Sequence, residues 1–326
     1  MVSPDGIGHI AADMRLIGFT IALLASLLGP GVGHAALPIT LCEGVWLDAV
    51  RSRPVPVRIR MPGGGGKVGV ILFSHGLGGS LDAGAIWAHG WAEAGFAVIN
   101  IQHRGTDSAI FGKPGFRSAL NGEQLISRVR DIQFVISELG RRKAQDRCDL
   151  DRIDLSRIGV AGHSFGAQTV QAIAGQRFSA AIEPPLGDPR VRAAVALSPS
   201  PPLSGSPEVA FSTVHIPFLS ITGTEDAIPF VTPITARQRQ EPFRFMPAGE
   251  KYLLVLQGAT HEMFAGQIIH TMLNGEPTPY IRETVIAATV AFWRATLDAD
   301  RGALRWLQSP EGLRAELRPK DLFESK

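Results

Sequence analysis

Arg157-Ile158-Gly159-Val160-Ala161-Gly162-His163-Ser164-Phe165-Gly166-Ala167 is the stretch from which the rest of the chain can be read. Residues 157–161 are a short apolar run with strand character, and the residues from Ala167 to Ala174 favour a helix. Between them, Gly162-x-Ser164-x-Gly166 matches a sharp strand-to-helix turn that lifts a serine hydroxyl above the end of a sheet. With 36 glycines in 326 residues, the five-residue pattern arises by chance often enough to mean little alone. Its position between a strand and a helix gives it weight. Such a turn needs small residues on both sides, because the serine takes a strained backbone. Ser164 is therefore the candidate nucleophile.

Outward from this turn, short apolar runs alternate with helical spacing. Val55–Met61, Val68–Phe73, Phe96–Gln102, Val191–Leu197, Phe218–Thr222 and Lys251–Leu256 read as strands. Asp82–Ala94, Asn121–Arg142 and Tyr280–Leu297 read as helices, the second with apolar Leu125, Val129, Ile132 and Ile136 on one face. The alternation predicts an α/β fold, a mostly parallel central sheet with helices on both faces. Residues 198–217, rich in Pro and Ser, read as one long loop, too short for a large cap domain. Residues 36–326 are expected to form a single catalytic domain. Lys67 follows the run Gly63–Gly66, but Val68 stands where a phosphate loop needs Ser or Thr, so that reading fails.

A serine hydroxyl needs a base to take its proton, and the base needs an acid to orient it. After a strand–turn–helix nucleophile these follow in the order acid, then base. Asp226 follows the run Phe218–Thr222 and His261 follows Lys251–Leu256, so both fall at predicted strand ends. Glu225 is the rival acid. His75, His103 and His163 read as structural. His261-Glu262 opens like a zinc-protease helix, but Ala265 occupies the place of its second histidine, and no other metal cluster is visible. The oxyanion formed during acyl transfer needs two backbone N–H donors. Phe165 supplies one from the turn. Leu77, in Ser74-His75-Gly76-Leu77-Gly78-Gly79, is expected to supply the other.

Ser74-His75-Gly76-Leu77-Gly78, Gln102-His103-Arg104 and Gly162-His163-Ser164-Phe165-Gly166 resemble the successive signatures of one group of proteins. These are the bacterial relatives of platelet-activating-factor acetylhydrolase and the dienelactone-hydrolase-like esterases of the α/β-hydrolase fold. The resemblance runs from about Trp46 to His261. It implies a calcium-independent carboxylic ester hydrolase with no organic cofactor. In the animal acetylhydrolases the acid follows the strand after the nucleophile helix, where this chain has Leu197-Ser198. Asp226 instead resembles the placement in bacterial cutinase-like and polyester hydrolases, which puts a phospholipid substrate in doubt.

Composition limits the partners. Lys and Arg number 32 against 30 Asp and Glu, a net charge of +2, so no strong field points to nucleic acid or to an anionic membrane. A small-molecule or lipid-like ester is the expected partner. The apolar run Leu16–Leu28, preceded by Arg15 and followed by Gly29-Pro30 and the small residues Gly33, Ala35 and Ala36, reads as an export signal over residues 1–35. At about thirteen residues it is too short to span a bilayer, so no stable membrane insertion is expected after cleavage, the alternative reading being a buried apolar helix or an uncleaved anchor. Initiation at Met14 gives the signal a positive start. The mature protein is then periplasmic or secreted. Cys42 and Cys148, the only two cysteines, form either one disulfide or two free thiols.

Phe111, Phe116, Phe165, Met263 and Phe264 are candidates for an apolar acyl site, each with an ordinary core reading beside it. Arg141, Arg142, Lys143 and Arg147 lie near a helix end and are read as complementing its terminal carbonyls. Together these residues point to a broad serine esterase for short to medium acyl groups. A serine peptidase or acyltransferase could use the same three residues, and a binding protein could keep the fold without the chemistry.

Overall fold

The computed structural model describes residues 38–111, 115–178, 184–202, 204–229, 231–267 and 277–326. The expected export signal lies outside them. Residues Ala36–Lys326 cluster as one compact unit. In chain order the strands are β1 (Ile39–Asp48), β2 (Arg53–Pro62), β3 (Val68–Ser74), β4 (Ala97–Ile101), β5 (Ala144–Gln145), β6 (Cys148–Asp149), β7 (Ile153–His163), β8 (Val191–Leu197), β9 (Phe218–Glu225), β10 (Lys251–Thr260) and β11 (Leu322–Ser325). The helices are α1 (Ala85–Glu93), α2 (Gly122–Leu139), α3 (Phe165–Ile173), α4 (Pro207–Phe211), α5 (Glu241–Phe245), α6 (Pro279–Leu297), α7 (Arg301–Gln308) and α8 (Leu313–Glu316).

Nine strands form one sheet in the order β1-β2-β4-β3-β7-β8-β9-β10-β11. The pairs from β4 through β10 are parallel, while β1, β2 and β11 join antiparallel at the two sides. The mostly parallel α/β sheet is thus as expected, and both of its faces are covered. Alternation along β3 shows how: Val70 and Leu72 pack with Leu125 and Val129 of α2 and Val170 of α3. Ile71 and Phe73 pack on the other face with Trp87 and Trp91 of α1 and Val285 and Phe292 of α6. From β3 the chain passes through α1 to β4 on one side, then through α2 to β7 on the other. The crevice above the ends of β3 and β7 is therefore the place where such sheets bind ligands.

Local chemistry sets the helix starts. Asn121 caps α2 by accepting from Gln124 N, and Thr278 caps α6 ahead of Pro279. The strand β1 and the hairpin β5–β6 were not expected. Cys42 of β1 and Cys148 of β6 are joined in a disulfide with Cα atoms 6.2 Å apart, which ties the sheet edge to the chain that follows α2. Residues 198–217 are not all loop: α4 lies within them, started by Ser206 accepting from Val209 N and by Pro207, and it buries Ala210 and Phe211. The basic cluster after α2 is engaged locally, Arg141 and Arg142 with Glu138 and Lys143 with Asp151.

Candidate active site

Ser164 joins β7 to α3 with φ 57° and ψ −116°, a backbone that side chains other than glycine rarely adopt. The flanking glycines are required by contact. A Cβ on Gly162 would meet the Gly166 carbonyl oxygen at 2.5 Å, and one on Gly166 would meet the Ser74 carbonyl oxygen at 1.9 Å. The turn and the end of β3 touch backbone to backbone. Sequence spacing alone gave the pattern, and this contact explains it.

Asp226 and His261 are the first residues past β9 and β10. The structure brings them to Ser164: His261 Nε2 is 2.9 Å from Ser164 Oγ, and His261 Nδ1 is 2.7 Å from Asp226 Oδ1. A carboxylate only accepts, so Nδ1 carries the proton and Nε2 is left to accept from the serine hydroxyl. Thr222 Oγ1 donates to Asp226 Oδ2 at 2.8 Å. The rival Glu225 is exposed, whereas Asp226 is fully buried. Burial acts to raise the Asp226 carboxyl, but the hydrogen bond and charge of His261 and the charge of Arg239 outweigh it and hold the group below its ordinary value. The acid stays ionised and can stabilise an imidazolium.

Arg239, which the sequence reading missed, is 1% exposed, and its Nε lies 2.8 Å from Asp226 Oδ1. Its Nη1 donates to the carbonyls of Ser198 and Pro199 at 3.0 and 3.1 Å. It therefore fixes the acid against the loop after β8. His163 is buried and pairs its Nε2 with the His261 carbonyl at 3.0 Å. Burial, then the neighbouring His261, holds its imidazole well below the usual value, so it stays neutral and braces the His261 backbone.

Leu77 lies in the loop after β3 and Phe165 is the first residue of α3, whose first-turn N–H groups have no acceptor within the helix. Both residues line one cavity with Ser164 and His261. The Leu77 loop is fixed on each side: Gly78 N donates to Thr106 O at 2.8 Å, and His75 Nδ1 donates to Gly76 O at 2.6 Å. Below the loop is a buried polar string. Ser74 Oγ is 3.0 Å from His103 Nε2, His103 Nδ1 is 3.0 Å from Asp131 Oδ2, and Arg53 binds both Asp131 oxygens. Burial acts to raise the Asp131 carboxyl, but hydrogen bonds from His103 and Arg53 overcome it and place it at about 2. His103 is lowered to about 4, by burial first and then by the Arg128 charge. His75 is held well below its ordinary value for the same two reasons.

The cavity measures about 300 Å³. Phe111, Phe116 and Leu120 form part of its wall, and Ile228, Val231 and Ile234 form another part. The rings of Phe111 and Phe116 stack with centroids 5.6 Å apart. Met263 and Phe264 are not part of this wall, which corrects the expectation. The 3-10 turn Glu262–Ala265 directs Phe264 into the core at 0% exposure, where its carbonyl accepts from Trp87 Nε1, and Met263 packs against the same cluster. The Phe165 ring is likewise core, beneath the Arg128 guanidinium, although the residue borders the cavity. Ile228 and Val231 could have been suspected as the apolar residues directly after the acid.

A family model described as PETase: PET hydrolase-like matches residues 58–273, more than half of the chain. No curated protein matches significantly. The matched span runs from within β2 to beyond His261 and so contains every residue placed around the cavity.

Proposed function

Because the chain belongs to the PET hydrolase-like family, carboxylic ester hydrolases of the α/β-hydrolase fold, we propose that it hydrolyses esters through an acyl-enzyme on Ser164. The observation that carries this reading is the continuous hydrogen-bonded line Ser164–His261–Asp226 at an apolar cavity. His261 takes the proton of Ser164 Oγ as it attacks the ester carbonyl. The N–H groups of Leu77 and Phe165 hold the resulting oxyanion. His261 then passes its proton to the leaving alkoxide. Water attacks the acyl-enzyme by the same steps, and Ser164 recovers its proton as the acid departs.

A cavity of about 300 Å³ is at the small end for ligand sites and suits short to medium acyl groups. A second reading, an ester of an aromatic acid such as that in a polyester, is favoured by the stacked Phe111 and Phe116, the former 57% exposed and placed to hold a flat ring. Both readings use the same serine. The test is kcat/KM over acetyl to palmitoyl esters beside benzoyl and terephthaloyl esters, with Ser164→Ala as control. Activity that peaks at short chains and disappears, with fluorophosphonate labelling, in folded Ser164→Ala supports the proposal. Undiminished labelling of that variant overturns it. Faster cleavage of amides or transfer to alcohols would assign a peptidase or acyltransferase instead.

The protein is further proposed to be exported, with residues 1–35 removed and 36–326 acting as the catalytic domain. The Cys42–Cys148 disulfide supports this, since such bonds persist in oxidising compartments. N-terminal sequencing of protein recovered from periplasm or medium tests it. A start upstream of residue 30 would overturn it.

A further inference from the structure

We propose that Arg128 is a positioning residue that sets the spacing of the two oxyanion donors, an inference that rests on the assignment of Leu77 and Phe165 as those donors. The donors come from different elements, the loop after β3 and the start of α3. Catalysis by such a pair depends on their separation, because each N–H must point at the place where the charge develops. A single side chain from a third element, α2, spans both. Arg128 Nη2 donates to the His75 carbonyl and, at 3.1 Å, to Ser74 Oγ, at the root of the Leu77 loop. Its Nη1 donates to Thr106 Oγ1 at 2.6 Å, and Thr106 O in turn accepts from Gly78 N, next to Leu77. Its Nε donates to Thr169 Oγ1 at 3.0 Å, one turn into α3, and the guanidinium carbon stands 4.7 Å from the centre of the Phe165 ring.

Burial makes this arrangement expensive. Arg128 is 0% exposed, and among the described residues it forms no ion pair with a carboxylate. A buried cation without such a partner is poor for stability, and apolar side chains of similar volume usually fill such sites at least as well. The planar fork gives what apolar packing does not, fixed angles between four acceptors on three segments. Burial also lowers the guanidinium to about 9, so it remains charged at neutral pH.

The experiment compares wild type, Arg128→Lys and Arg128→Met for kcat and KM on a soluble acetyl ester and for inhibition by phenylboronic acid, whose serine adduct places an oxygen where the oxyanion forms. Active sites are titrated so that misfolded protein does not count. The expected result is a fall in kcat on the order of 10²-fold with KM within about threefold, matched by a similar rise in the boronate inhibition constant. Lysine is expected not to rescue, since it keeps the charge but loses the fork. Should both variants fail to fold, Thr169→Val and Thr106→Val each remove one acceptor and are expected to lower kcat about three- to tenfold at constant KM. Folded variants with wild-type kcat and boronate affinity, or a loss carried by KM alone, would overturn the proposal. A wild-type enzyme indifferent to boronate would instead strike the assignment of the oxyanion donors, and the proposal with it.

Discussion

Reducing the Cys42–Cys148 bond is expected to weaken the fold without touching the chemistry. The two cysteines are 106 residues apart, and closing a loop of that length removes chain entropy from the unfolded state. The chain-entropy model gives about 4.8 kcal/mol for it at 25 °C, an upper value because engineered and native bridges often deliver less. For a unit of about 290 residues the unfolding entropy is roughly 0.6 kcal/mol per degree, so Tm should fall by up to about 8 °C. The fold should survive, because β1 stays paired with β2 from Ile39↔Pro62 to Asp48↔Arg53 and buries Trp46. Cys42 and Cys148 do not line the active-site cavity, so kcat at 25 °C should stay within twofold of the oxidised enzyme. Thermal and urea melts of one preparation, oxidised and dithiothreitol-reduced, isolate the cross-link from any change of side chain. Identical midpoints in the two states, with thiol titration confirming reduction, would refute the entropic argument. Lost activity in folded, reduced enzyme would refute the claim that edge and site are independent.

Asp226→Asn should lower kcat on the order of 10⁴-fold, because the amide no longer enforces the right imidazole tautomer, while exposed Glu225→Gln should cost less than twofold; a larger loss for the second variant would reassign the acid. Gly166→Ala places a methyl 1.9 Å from the Ser74 oxygen and should cost about 3 kcal/mol or more, seen as a lowered unfolding midpoint. A variant with wild-type midpoint and activity would contradict the contact. Acid should destabilise the protein well before the carboxylates titrate. His75, His103 and His163 are all lowered in the folded state, so below about pH 6.5 the unfolded chain takes up protons that the fold refuses. Stability should be full above that pH and fall by up to about 1.4 kcal/mol per pH unit for each histidine, the share of His103 being spent by about pH 4. Urea midpoints from pH 7 to 4 check this, and a flat profile would mean that the buried imidazoles are not held neutral.

The turn at Ser164 was legible because close backbone contacts, Gly162 against the Gly166 carbonyl and Gly166 against the Ser74 carbonyl of β3, force glycine at two positions with a fixed spacing around one serine. Asp226 and His261 were legible through chain order and the ends of apolar runs. The buried network was not. In α2 the apolar Leu125, Val129, Ile132 and Ile136 mark the inward face, yet Arg128 and Asp131 are buried beside them, and charge is ordinarily read as solvated. Their partners, Thr106, Thr169, Ser74 and Arg53, are brought in from other elements. The strand β1 was missed for the opposite reason: of its outward residues Leu41, Glu43, Val45 and Leu47, three are apolar, so the usual alternation of apolar and polar residues is blurred. Met263 and Phe264 were misjudged because nearness to His261 in sequence says nothing of which way a tight turn sends a side chain.

The string Ser74–His103–Asp131 reproduces, within a few tenths of an ångström, the hydrogen-bond lengths of Ser164–His261–Asp226. By these lengths alone the two sets of side chains look alike. Their difference lies in their surroundings. Ser74 and His103 are 0% exposed, and the Ser74 hydroxyl accepts from a guanidinium that competes for the electron pair an attack would need. Ser74 also ends an ordinary parallel strand, paired with Ile101 and Gly162, whereas Ser164 stands on a strained turn facing open space. The same three residue types form a sealed rivet in one place and an open arrangement in the other, and what separates the two is access from the cavity.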